Sequence, residues 1–417
     1  MGAFLKMPLA LLKRYYRKLW LRVLCYALLS LLVAAIEPVL ERWIDLDFAP
    51  DVAPEGVMTV LTILASSMLA VSTFSLNVMV SAHRAAAASA TPRIHRLLLD
   101  DTTTHTVLAV FIGAFVYALT TIILIQAGLY ADTSAFITMA VTVLVVVMVI
   151  AAMLRWIDHL SHLGSMDHNM RNVFDLTRDG LTRFARRPAL GAALLREDTV
   201  LPEQLTPLTA PASGYLQLID VDGLNTCLQD ISEGSFLYVS LFPGQTVLRG
   251  QPLSQLSGSA SEAELSQLAR HFVIGDIRTY EQDPDFGLTV LSEMSSRALS
   301  PGVNDPGTAI EAVTRLEMLL WDYGHATGDP DTATAPRVFV KAPTPAHILQ
   351  SAFAATARDG AGQIEVARHL REALSRLASL PDASLAAAAR DLDELVLAYC
   401  DKALPLEAER QSLRRAF

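Results

Sequence analysis

Three cysteines in 417 residues are too few for a disulfide scaffold, and Cys25, Cys227 and Cys400 lie too far apart for a Cys-x-x-Cys site. Charge is also scarce. Asp, Glu, Lys and Arg make up 18% of the chain, against about 25% in ordinary soluble domains. There is no Walker A loop, no Gly-x-Gly-x-x-Gly after a strand and no Gly-x-Ser-x-Gly elbow, so no familiar nucleophile or nucleotide loop argues for an enzyme. Net charge is −10, which excludes a generally basic nucleic-acid binder. What is abundant is apolar surface: 52% of residues are hydrophobic and the mean hydropathy is +0.35, which excludes disorder.

The averages hide two different parts. Residues 1–187 carry 16 Lys/Arg against 13 Asp/Glu, whereas residues 188–417 carry 17 against 30. In the first part, four runs, at about 19–36, 57–82, 106–131 and 133–154, are long enough to cross a hydrocarbon core of roughly 30 Å. The last three are free of charge. The first is shorter, and Arg22 within it has to snorkel. A cleaved signal peptide is the alternative there, with Val33-Ala34-Ala35 as the small-residue site, but the long basic leader favours a retained span.

Loop charge predicts orientation. The leader holds Lys6, Lys13, Arg14, Arg17, Lys18 and Arg22 without an acid, and the first connection holds six acids against Arg42. Arg84, Arg93 and Arg96 mark the second connection, and Arg155 and the arginines from Arg171 to Arg187 follow the fourth run. The bias places both termini in the cytoplasm of a cell whose inner (plasma) membrane holds the chain. Trp20 and Trp156 are expected as aromatic anchors at the inner ends, with Trp43 and Tyr130 outside.

The second run carries a polar stripe. Thr59, Thr62, Ser66, Thr73, Asn77, Ser81 and Arg84 recur at helical spacing and share one face. Such a face avoids lipid, and two readings remain open: glue between packed helices, or the lining of a hydrated pathway repeated around a homo-oligomer. No Asp, Glu or Lys lies deep in any run, which argues against an ion-coupled pump.

Just after the fourth run, His159 and His162 beside Asp158 lack further ligands, so a polar helix face is expected and no metal. Pro202, Pro207 and Pro211 predict a break over 201–213. Short β-like runs follow at 214–220, 236–241, 246–248 and 272–274. The string from Pro243 to Leu253 is similar to the hairpin of biotinyl- and lipoyl-type barrels, which implies a small barrel-like subdomain. Those domains act through a turn lysine, and no lysine occurs between Lys18 and Lys341, so a swinging arm is excluded.

From Asp283 the helical period returns, with Phe286, Val290, Met294 and Leu299 on one side. Ser300 to Pro306 then reads as a turn, with Asp305 as N-cap and Pro306 as the first helical residue. Asn304 and Asp305 either cap this turn or, with Arg278, Glu281 and Asp283, bind a ligand at a helix N-terminus. A short strand at 338–340 and helices at 345–358, 365–380 and 383–403 complete the reading.

The string Arg297-Ala298-Leu299-Ser300-Pro301-Gly302-Val303-Asn304-Asp305-Pro306 resembles the hallmark of a bacterial predicted-membrane-protein family, domain of unknown function 2254. Ser213-Gly214-Tyr215 running into Ile219-Asp220, His271 to Gly275, Arg278-Thr279 and Glu281-Gln282-Asp283 match it further. The resemblance implies membrane spans followed by a cytoplasmic domain and carries little function. Gly307 departs from the pattern, where an aromatic is expected, and this is expected to loosen packing at that helix start.

The fold expected is mixed: a four-helix transmembrane module (1–160), a juxtamembrane helix and linker (161–212), a β-rich subdomain (213–280) and a helical subdomain (281–417). The first functional expectation is an oligomeric pore, channel-like or transport protein for an ion or small solute. Thr62, Ser66, Thr73, Asn77, Ser81 and Arg84 would line it. The acidic domain would favour cations and Arg84 and Arg93 anions, so ion sign stays open. The alternative is a membrane-tethered sensor or scaffold binding at 300–308, and behind it a membrane-bound enzyme using Asp283, Asp305 and Arg278. No cofactor is expected.

Overall fold

The computed structural model describes residues 19–41, 54–89, 93, 102–128, 135–162, 165–231, 234–326 and 333–415. The chain divides into two compact units between His168 and Asn169.

Among the described residues the first unit holds four helices: α1 (Leu19–Glu41), α2 (Pro54–Ser89), α3 (Thr102–Gln126) and α4 (Ala135–His162). Stretches of three are long and apolar enough to cross a membrane: Glu55–Ala82, Thr103–Gln126 and Phe136–Leu160. The apolar stretch of α1, Trp20–Ile36, is shorter. The middle of the bundle is α3, against which the other three pack; Phe111, Ala114, Tyr117 and Ala118 are fully enclosed. Arg22 donates to Thr106 Oγ1 at 2.8 Å, which sets the N-terminal ends of α1 and α3 side by side. Tyr117 and Thr142 tie α3 to α4 through their hydroxyls at 3.2 Å. Large apolar side chains point outward instead, among them Leu28, Phe74, Leu144 and Leu154, as a helix surrounded by lipid requires.

Two expectations change here. Trp156 is buried in the bundle core rather than turned to an interface, while Trp20 is exposed. Trp43 and Tyr130 lie outside the described residues. Helix α3 closes at Gln126, short of the expected end, where Ala127 and Gly128 turn.

Helix α5 (Met166–Arg186) runs from the last residues of the first unit into the second, and its apolar face (Met170, Val173, Leu181 and Phe184) is buried. Two sheets follow. The larger has the order β1-β8-β4-β6-β2, from β1 (Ala192–Leu194), β8 (Ala335–Val340), β4 (Leu237–Val239), β6 (Pro252–Ser257) and β2 (Leu205–Thr209). The smaller is antiparallel and runs β5-β3-β7, from β5 (Thr246–Val247), β3 (Gly214–Ile219) and β7 (Phe272–Gly275). Helices α6 (Val221–Ile231) and α7 (Glu262–Ala269) connect these strands, and Ser261 and Glu264 close a capping box on α7.

The expected barrel is therefore absent among the described residues. Strands β5 and β6, the two arms of the string from Pro243 to Leu253, enter different sheets, and both sheets have open edges. Nor do the strands keep to 213–280. β1 and β2 lie in the stretch read as linker, and β8 arrives from the helical region to pair in parallel with β1 and β4. The expected break at 201–213 becomes β2 because Pro207 sits on an edge strand paired only with β6, so its missing N–H removes no ladder bond on a second side.

The remaining helices are α8 (Pro284–Ala298), α9 (Pro306–His325), α10 (Pro345–Asp359), α11 (Ile364–Leu377), α12 (Ala383–Ala403) and α13 (Glu407–Arg415). Central among them is α8, buried along most of its length, with α9 and α10 against it.

Candidate functional site

The structure places the polar stripe of α2 on the outer surface of its unit. Thr59, Thr62, Ser66, Thr73, Asn77, Ser81 and Arg84 are all exposed. At about 100° per residue they fall within about a third of the helix circumference, on the side opposite Val57, Leu61, Leu64, Met68 and Ser75, which are buried against the bundle. The hydroxyls are not idle. Thr62 donates to the Met58 carbonyl at 2.8 Å, Ser66 to that of Thr62 at 2.9 Å and Thr73 to that of Leu69 at 3.0 Å. Back-bonding of this kind lets a hydroxyl sit on a membrane helix without an unmet donor. Among the described residues of its own unit, no helix covers the stripe.

In the second unit, Arg278 and Asp283 come together and Asn304 and Asp305 do not join them. Asp283 caps α8: its Oδ1 accepts from the backbone N–H of Asp285 and Phe286, at 3.2 and 3.0 Å. Arg278 donates through Nε to Asp283 Oδ2 at 2.7 Å and through Nη2 to Asp283 Oδ1 at 2.8 Å. The same Nη2 reaches Asp285 Oδ2 at 3.1 Å, and His347 Nε2 of α10 lies 3.5 Å from that oxygen. Gly244, at φ +98, brings its loop so close that a side chain there would run into the Asp283 carboxylate. A shallow apolar cleft beside this cluster is lined by Phe242, Pro243, Pro284 and Lys341, among others.

Burial pushes Asp283 up from the ordinary carboxylate range, against the pull of Arg278. Asp285 moves down: burial opposes its charge, but hydrogen bonds from His347 and Ser351 and the Arg278 charge outweigh it. His347 is held above its usual value, chiefly by its bond to Asp285 and against its own burial. Asp285 and His347 escape a reading of the sequence alone. The Asp-Pro-Asp spacing is a visible signal for the first, but nothing local marks a histidine on α10.

The other end of α8, about 22 Å away at 1.5 Å per residue, carries the Ser300 to Pro306 turn. Asp305 caps α9, accepting from Thr308 N at 3.0 Å and Thr308 Oγ1 at 2.6 Å. Thr308 holds the Asp305 carboxyl below the ordinary range. Asn304 adopts a left-handed backbone, φ +49, and its Oδ1 accepts from Gln363 at 3.0 Å. Glu281 is exposed. Gly307 is exposed as well, so an aromatic there has little neighbouring structure to pack into.

The family described as Predicted membrane protein (DUF2254) matches residues 16–376, which include the α2 stripe, the Arg278 cluster and the Ser300 to Pro306 turn. The chain belongs to this family. Among similar proteins, Uncharacterized protein Mb1321c of Mycobacterium bovis is 32% identical over 272 residues, 63% of this chain and 51% of the relative. Uncharacterized protein Rv1290c of Mycobacterium tuberculosis has the same identity and coverage. The chain thus spans about half the length of these relatives. No solved structure matches it.

Proposed function

We propose that this DUF2254 protein is an oligomeric pore, channel-like or transport protein for an ion or small solute, with the acidic second unit as its cytoplasmic regulatory domain. The observation that supports it is the α2 stripe, exposed and opposite the face that packs on its own bundle. Polar side chains on that side have their natural neighbour in another copy of the helix around water. In this reading α1 is a fourth span, supported by its apolar stretch and by Arg22 reaching Thr106. Both ends then face the cytoplasm of the inner membrane by the Lys/Arg bias.

Purified protein in liposomes is expected to pass ions or small solutes, and Asn77→Leu or Thr73→Leu to change that flux. No flux under any gradient, together with an assembly in which α2 is off the symmetry axis, would refute the reading.

A second reading is favoured by the Ser300 to Pro306 turn, exposed from Pro301 to Asp305, with its left-handed Asn304. There the protein is a membrane-tethered sensor or scaffold. Asp305→Ala would then abolish ligand or partner binding while the second unit stays folded.

A further inference from the structure

Three residues that the sequence leaves scattered meet at the start of α6. Strand β3 pairs antiparallel with β7 in a register that sets Ile219 against Phe272, and the ladder continues as Asp220 N–H donates to the His271 carbonyl at 2.9 Å. Asp220 and His271 are therefore fixed side by side by backbone bonds. Asp220 then opens α6: its Oδ1 accepts from Gly223 N at 3.1 Å and its carbonyl from Leu224 N at 2.9 Å. The other carboxylate oxygen, Oδ2, lies 2.9 Å from His271 Nδ1. Two turns along, Cys227 sits on the same helical face, and its Sγ is 3.3 Å from His271 Nε2. Gly223 lies between them. A Cβ there would strike both the Asp220 carboxylate and the His271 ring, so only glycine allows the imidazole to lie this close to the helix.

The chemistry follows from the order of the bonds. A carboxylate accepts only, so Nδ1 of His271 carries the proton and Nε2 presents its lone pair to the thiol. Nucleophile, base and orienting acid are thus in sequence, the arrangement that activates a thiol. The side chains of His271 and Asp220 are 24% and 44% exposed, so the relay opens to solvent. Cys227 itself is half-buried against the sheet core, an approach that suits a small reagent rather than a bulky acyl donor.

We propose that Cys227, His271 and Asp220 form an activated-thiol site at which a peroxide-class oxidant modifies Cys227. His271 Nε2 takes the thiol proton as the sulfur electron pair attacks one peroxide oxygen. The S–O bond forms and the O–O bond breaks; the departing hydroxide collects the proton from His271 and leaves as water. Sulfur is oxidised to sulfenic acid and the peroxide is reduced, so atoms and electrons balance. Two equivalents of an external thiol return the site to its starting state: the first condenses with the sulfenic acid to a mixed disulfide and releases water, and the second reduces that disulfide to the Cys227 thiol and leaves as the thiol's own disulfide. At rest the proton stays on sulfur, because burial and the charges of Asp230 and Asp220 push the Cys227 thiol up. His271 is therefore needed as base during attack, not as the partner of a standing thiolate.

The test uses the full chain in liposomes, hydrogen peroxide as the probe, and a sulfenic-acid trap read by mass spectrometry on the Cys227 peptide. At pH 7.5 the wild type is expected to react about tenfold or more faster than His271→Gln. Between pH 7.5 and 9.5 the wild-type rate is expected to rise little and that of His271→Gln steeply. Asp220→Asn provides the second variant. It keeps an oxygen to cap α6 but offers His271 an amide, which favours the wrong tautomer, so it too is expected to slow Cys227. Cys400, whose thiol burial pushes up to about 11, serves as the unreactive internal control. Equal rates in the wild type and both variants, or no trapped Cys227 in the folded wild type, would overturn the proposal.

Discussion

Arg278 and Asp283 meet through two parallel bonds, Nε to Oδ2 at 2.7 Å and Nη2 to Oδ1 at 2.8 Å, with the carboxylate almost wholly buried. The same carboxylate holds the first turn of α8, so one side chain joins a loop, an arginine and the most buried helix of the unit.

Arg278→Met is therefore expected to destabilise the protein by about 3 kcal/mol, because it leaves a buried carboxylate without its cation. Denaturant unfolding followed by circular dichroism measures this. Replacing both partners by apolar residues is expected to cost less than the sum of the single changes, and a fully additive double mutant would show that the pair is not coupled.

The His347 and Asp285 pair predicts a pH dependence. His347 is raised in the folded protein, so its share of stability is complete below about pH 6.5, the unfolded value, and is lost as pH climbs through the folded one. Asp285 is lowered, so its share is present above about pH 3.9 and is lost as pH falls through the folded value. Thermal melts at pH 5.5 and 8.5 are expected to show a higher Tm at the lower pH. His347→Gln is expected to reduce that difference, and an unchanged difference would refute the assignment.

Within the membrane unit, the two sides of the bundle predict opposite phenotypes. Ala118 of α3 is fully enclosed, and Ala118→Leu is expected to overpack the bundle at a cost of about 1–3 kcal/mol. Ser66 is exposed on α2, and Ser66→Leu is expected to leave the monomer stable and, on the proposed oligomeric reading, to change the assembly. Melting in detergent reads the first effect and native mass spectrometry the second.

The turn before α9 gives a sharper number. Asp305→Ala removes the carboxylate that accepts from Thr308 and is expected to lower stability by about 1 kcal/mol. Asp305→Asn, which keeps a capping oxygen, is expected to restore most of it. Loss in Asn equal to that in Ala would point away from capping.

Several elements were legible because their cause is local. Asp283-Pro284 and Asp305-Pro306 announce helix starts, since the carboxylate caps and proline has no N–H to lose, and α8 and α9 begin there. The apolar runs of α2, α3 and α4 show in composition alone, because lipid demands uninterrupted apolar length. The strand at Pro207 was hidden, since whether a proline is tolerated depends on which side of the strand has a neighbour.

The amino-acid order by itself determined the membrane helices, the acidic second half, the capped turns and the polar face of α2, all properties of spacing within one helix or of charge along the chain. Only the tertiary structure decided that this face points away from its own bundle, that Arg278 joins Asp283 and Asp285 to His347 of α10, and that Asp220, Cys227 and His271 stand in line. Those relations depend on sheet register and helix packing, which bring together residues far apart in the chain, and no local pattern encodes which distant partner a side chain will meet.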